Sequence, residues 1–133
     1  MIRYMLDTNM IIYAKNRRPA QVLQTLLTHD PSEIAISSIT MAELEFGVCR
    51  SSRPEQNRMA LLLFLTDFNI LPFNENAALD YGEIRYSLQT QGNLIGGNDL
   101  LIAAHARSLG LTLVTHNTRE FGRVKGLKLE DWA

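Results

Sequence analysis

Short, predominantly apolar runs alternate along this chain with longer segments of helical character, and no other feature limits the possible folds as strongly. Ile2 to Leu6 is such a run, as are Ile34 to Ile36, Asn69 to Phe73 and Leu111 to Val114, with Leu127 to Leu129 as a candidate fifth. These runs are predominantly apolar and do not alternate over their length as half-buried strands do, as expected of strands covered on both faces. Between them lie helical segments at Thr8 to Asn16, Pro19 to about His29, Ser38 to about Arg50, Pro54 to Asp67, Asn74 to Gln91 and Asp99 to Leu109. Pro19 suits a first helical position, and Gly110 stops the last helix. Gly92 to Asn98 reads as a Gly-rich turn. Strands alternating with helices predict an α/β fold, a three-layer α/β/α arrangement around a mostly parallel sheet of four to five strands. At 133 residues, the chain has the length of a single domain, residues 1–133.

Ligands of such sheets bind beyond the carboxyl ends of the strands. Asp7 stands directly after the first run, Glu43 lies on the helix after the second, and Asp99 opens the helix leading to the fourth. After the fourth run comes Thr115-His116-Asn117-Thr118-Arg119-Glu120. Carboxylates gathered on one rim without matched Lys or Arg repel one another, and a bound cation would relieve that repulsion. Oxygen-only donors suit Mg²⁺, with Mn²⁺ as the alternative. A metal held this way activates water and steadies phosphoryl oxygens, which is phosphodiester hydrolysis. Each acid also has a purely structural reading. Asp7 suits a helix N-cap, Glu43 follows Thr40 at capping-box spacing, and Asp99 in a first turn is favoured by the helix dipole.

Lys and Arg total 13 against 14 Asp and Glu, a net charge of −1, which excludes a nucleic-acid binder working by bulk charge. Ten of the 13 bases are Arg, whose planar fork suits phosphate. Arg17, Arg18, Arg50 and Arg53 are candidates for phosphate contacts, with solvated surface charge as the structural alternative. Setting Asp7, Glu43 and Asp99 inside a metal pocket leaves a mildly basic surface around an acidic centre. There is no P-loop and no nucleophile elbow. His29, His105 and His116 are too dispersed for zinc, and His105 falls about 240° round the helix from Asp99.

The single Cys49 excludes an internal disulfide framework, suits a reducing compartment and reads as a buried thiol. The longest apolar run, Met59 to Leu65, falls far short of the ~20 residues of a membrane span. Asp7 interrupts the N-terminal apolar stretch too early for a signal peptide. The expected location is cytoplasmic. A helix through Met59 to Leu65 is apolar on every side, more than one buried face requires, and is expected to form a dimer interface or a regulator-binding groove. Trp132 is expected to anchor the last strand.

The ordered set Met5-Leu6-Asp7-Thr8-Asn9, Ser37 to Leu44 with Gly47, Asn98-Asp99 before an apolar helix, and Val114 to Phe121 closely resembles a PIN domain, nearest to the VapC toxins of VapBC toxin–antitoxin pairs. The resemblance runs over essentially the whole chain. It implies a Mg²⁺-dependent endoribonuclease that cuts structured RNA, often tRNA in the anticodon region, and thereby inhibits translation. It also implies a homodimer, within a larger assembly in some relatives, neutralised by a VapB-type antitoxin whose tail lies across the active site. By position, Asp7 and Asp99 match the family's metal-binding aspartates and Glu43 its acid on the helix after the second strand. Thr8 and Asn9 match the polar residues after the first aspartate, and Thr115 the Thr at the strand end. The departure is Asn117, a neutral amide where many relatives carry an acid, with Glu120 as its stand-in. Two rivals remain. A haloacid-dehalogenase-type phosphatase wants Asp-x-Asp, and Asn9 occupies its second acid position. The other is a catalytically weakened PIN-like module that binds RNA or protein.

Overall fold

The computed structural model describes residues 1–133. In chain order the elements are β1 (Tyr4–Leu6), α1 (Thr8–Asn16), α2 (Ala20–Leu26), a 3-10 turn at Pro31–Glu33, β2 (Ile34–Ser37), α3 (Ser38–Cys49), α4 (Pro54–Leu65), β3 (Asn69–Leu71), α5 (Glu75–Thr90), α6 (Gly97–Ser108), β4 (Thr112–Val114), α7 (Thr118–Phe121) and β5 (Lys128–Glu130). The five strands form one sheet in the order β3-β2-β1-β4-β5, with every pairing parallel. Tyr4 lies opposite Ile34 on one side and Thr112 on the other, and Leu6 lies opposite Val114.

The period-two geometry of a strand divides the apolar runs between two cores. Tyr4, Leu6, Ile34, Ile36 and Val114 pack with residues of α1 to α4 and with Trp132. Met5, Ala35 and Leu113 point the other way, into a core built on Ile84, Leu88, Ile102 and Phe121. Both faces of the central strands β1, β2 and β4 are therefore covered, whereas the edge strands β3 and β5 leave Ile70, Lys128 and Glu130 exposed. The chain steps outward from β1 through β2 to β3, then returns to β4 on the far side of β1. That reversal opens a crevice beyond the carboxyl ends of β1 and β4. Arg107 fixes α6 against α5 through Asp80 and Glu83, each at 2.8 Å.

The α/β class, the three layers and the central strands agree with expectation. The helix after Pro19 is shorter than expected and ends at Leu26, because the chain turns there to bring His29 onto the face of Trp132 at 5.0 Å. Trp132 also meets the edge of Tyr4 at 5.3 Å and is buried, the anchor expected of it. The helix carrying Asp99 starts two residues earlier, at Gly97. The short α7 carries no sequence periodicity and was not expected. Cys49 is exposed, contrary to the buried thiol, because α3 presents Leu44 and Val48 to the core and ends one residue later. On α4 only Leu61 and Leu65 are buried, whereas Met59, Leu62 and Leu63 remain 61%, 47% and 69% exposed.

Leu113 is fully buried at the centre of the second core. Leu113→Ala is expected to lower the unfolding free energy by about 2–5 kcal/mol in urea titration, and an unchanged midpoint would contradict this packing.

Candidate active site

Asp7 leaves the carboxyl end of β1 in an extended conformation and caps α1, its Oδ1 accepting the Met10 N–H at 2.8 Å. Its capping role is therefore real, and the cap engages one carboxylate oxygen. Asp7 is only 6% exposed. Burial pushes its carboxyl up from the ordinary range, helped by the charges of Glu43 and Asp131 and opposed by hydrogen bonds from Thr115 and Met10. Thr115, buried at the end of the neighbouring strand, also accepts the Asn117 N–H at 3.0 Å. The first turn of α1 and the end of the neighbouring strand thus hold this carboxylate together.

Glu43 does not close a capping box. The N-cap of α3 is Ser37, whose Oγ accepts the Ile39 N–H at 3.1 Å, and Glu43 lies well past the first turn. Instead, Glu43 Oε1 accepts the Thr8 hydroxyl at 2.5 Å, and its Oε2 accepts the Asn98 amide at 3.2 Å. Three helices therefore meet at one carboxylate. Thr8 Oγ1 also lies 3.3 Å from the buried Thr40 Oγ1, which ties the start of α1 to α3.

Asp99 stands in the first turn of α6, half-buried, and its carboxyl is pushed up to about 6. Burial is the main cause, followed by the negative charges of Asp7, Glu43 and Glu120, and no cation offsets them. An arrangement that keeps acids this close without Lys or Arg suits a divalent cation. No three acidic, His or Cys side chains gather closely enough to cage a metal by themselves. A hard cation such as Mg²⁺ takes one or two protein carboxylates and keeps water on its other positions, and Asp7 and Asp99 are the pair that could hold one.

Glu120, half-buried on α7, joins this field. The Asn117 side chain is exposed and makes no hydrogen bond, so this residue contributes only its backbone amide, to Thr115. Asn9 is exposed beside Thr8 and lines the groove described below. Asp131 had no sequence signal, and Asn98 stood out only as the neighbour of Asp99 in the ordered motif set. Asp131 follows β5 and is held by His116 at 3.0 Å. Asn98 is an ordinary first-turn residue until Glu43 is seen opposite it. His105 stays apart from the acids, as its helical angle implied. It is buried against Ser37 Oγ at 2.7 Å, and burial lowers its pKa, so the ring is neutral at pH 7.

A groove of about 930 Å³ leads away from Thr8, Glu43 and Asn98 between α1, α3 and α4, passing Phe46, Lys15 and Arg50. Arg17, Arg18 and Arg53 are exposed nearby in sequence and are free of ion pairs.

A PIN domain profile matches residues 4–127. The chain is 46% identical over 132 residues, 99% of each chain, to "Ribonuclease VapC2" of Haemophilus influenzae. It is 41% identical over the full length of both chains to the "tRNA(fMet)-specific endonuclease VapC" of Shigella flexneri. Its fold superposes on a chain of the VapBC2 complex from Rickettsia felis, solved bound to a promoter DNA fragment, with a TM-score of 0.91 and 44% identity over 100% of both chains. The chain belongs to the PIN domain family and, within it, to the VapC ribonucleases. PIN-domain nucleases generally depend on a divalent metal.

The acidic rim fixes a pH dependence. Asp7 and Asp99 have folded pKa values above their unfolded ones, so the metal-free folded state binds protons more tightly than the unfolded chain. Their contribution to the stability of the metal-free protein is therefore lost as pH rises from the ordinary Asp value of 3.8 through about 6. His105 acts in the opposite sense, since its lowered pKa favours the folded state as pH rises. Comparison of variants isolates the Asp99 contribution: in EDTA, Asp99→Asn is expected to raise Tm above wild type at pH 7 and to do so much less at pH 5. An equal Tm difference at the two pH values would contradict the electrostatics described above.

Proposed function

We propose that this chain is the toxin of a type II toxin–antitoxin pair. It is an endoribonuclease that hydrolyses phosphodiester bonds in structured RNA, with tRNA in the anticodon region as the substrate, and so inhibits translation. The observation that carries this reading is the set of mutually repelling, uncompensated carboxylates at the carboxyl ends of β1 and β4. The Shigella relative's name, a tRNA(fMet)-specific endonuclease, supports the RNA class. Residues 1–133 act as one domain in the cytoplasm. A VapB-type antitoxin is the partner, supported by the VapBC complexes among the similar structures. A second copy of the chain covers the exposed apolar side of α4, at Met59, Leu62 and Leu63.

The residues present fit Mg²⁺, with Mn²⁺ able to replace it, and Asp7 and Asp99 would hold it. When bound, it supplies Lewis-acid stabilisation of phosphoryl oxygens and lowers the pKa of the attacking water. Glu43, fixed by Thr8 and Asn98, orients that water and accepts its proton. Thr8 and Thr115 work at one remove, keeping Glu43 and Asp7 in place. Glu120 adds negative charge that favours a cation at Asp99. Asn117 remains a candidate for contact with RNA at the mouth of the site, where its side chain is exposed.

Purified protein should cut total tRNA in Mg²⁺, with discrete new 5′ ends on sequencing, and EDTA should stop it. Asp7→Asn and Asp99→Asn should each lower the rate by about 100-fold or more, and Thr8→Val by about 10- to 100-fold through loss of support for Glu43. Cleavage at the wild-type rate by Asp7→Asn, or in EDTA, would refute this reading.

A further inference from the structure

Phe46 is 66% exposed, although it sits in the middle of α3 and lines the groove that begins at Glu43. Three residues along a helix bring it back to the face that carries Glu43, about 4.5 Å further along the axis. Arg50, one turn beyond, places its guanidinium over the Phe46 ring at 5.5 Å. Gly47 lies between them, and a Cβ there would meet nothing within 4 Å, so the groove is open beside the ring. Beyond Glu43 the charged residues lining this groove are Lys15 and Arg50, both basic.

An exposed aromatic ring with an Arg beside it, in a groove with a basic end, has the chemistry of a platform for an unstacked base and its phosphate. A peptide would also find apolar lining here. However, the groove includes Glu43 of the acidic rim, and a nucleic-acid strand whose phosphate sits at Glu43 must leave along a path that accepts both bases and phosphates. We infer that Phe46 stacks on an unpaired base next to the scissile phosphate while Arg50 and Lys15 hold the backbone, making this face of α3 a determinant of RNA selection. This inference rests on the ribonuclease reading above. It predicts a preference for single-stranded loops, because a base inside a duplex presents no free face.

Kinetics of tRNA cleavage by wild type, Phe46→Ala, Phe46→Trp and Gly47→Leu test it. Phe46→Ala should raise KM by about tenfold with Tm nearly unchanged, and Phe46→Trp should restore it. Gly47→Leu favours the helix but fills the groove, so it should raise KM without loss of stability. As a readout independent of cleavage, tRNA added to Phe46→Trp in EDTA should quench fluorescence beyond the wild-type signal of the buried Trp132. A wild-type KM in Phe46→Ala, or no added quenching in Phe46→Trp, would overturn the inference while wild-type cleavage left the ribonuclease reading standing. So would a Phe46→Ala protein that cuts normally but escapes inhibition by an antitoxin peptide, since the platform would then serve a protein partner. Failure of the wild type to cut tRNA would overturn both readings.

Discussion

Electrostatic repulsion among acids organises this molecule. Asp7, Glu43 and Glu120 stand close enough for their charges to be felt at Asp99, whose carboxyl is pushed up to about 6 by burial first and by those charges second. A protein selected for stability alone would separate such groups or pair them with Lys or Arg. Here the available hydrogen bonds go to holding the acids in place: Met10 and Thr115 to Asp7, Thr8 and Asn98 to Glu43. No buried side-chain polar atom lacks a partner, so the strain at the site lies in uncompensated charge and not in missing hydrogen bonds.

The scaffold that holds these charges is a parallel sheet buried on both faces. Its strands are three or four residues long, so the carboxyl ends lie close to two dense apolar cores. The low-dielectric surroundings magnify both the repulsion and the gain from a bound cation. The reversal of strand order beside β1 brings Asp7 and Thr115 together although they are far apart in the chain. Fold and site are therefore linked by one topological step, and the groove toward Phe46 and Arg50 extends the site over the helical layer.

Much of this arrangement was legible in the sequence. Apolar runs before Asp7, before the helix of Glu43 and after the helix of Asp99 placed three acids on one rim without coordinates. The rival structural readings divided: Asp7 is a cap as well as a rim acid, whereas Glu43 belongs to no capping box. Asp131 was not legible because β5 is a short edge strand with Lys128 and Glu130 exposed at its ends, so the rule that reads acids after apolar runs had little to act on. Thr8 stood out in the sequence as the polar neighbour of Asp7 and Asn98 as that of Asp99, but that both hold Glu43 follows only from the contact between α6, α3 and α1, a long-range fact that local patterns do not carry. Cys49 was misread because residue type predicts burial only on average, and its place at the end of α3 decides otherwise.

The central claim is that these acids form a cation site built from charge that is otherwise unfavourable. Calorimetric titration of Mn²⁺ into the metal-free protein at pH 6, in buffers of different ionisation enthalpy, tests it most directly. At that pH Asp99 is partly protonated and must lose its proton to act as a ligand. The account predicts saturable binding with release of a fraction of a proton, and Asp99→Asn should reduce the proton release and weaken the binding. Absence of binding, or binding with the same proton count in Asp99→Asn, would contradict it.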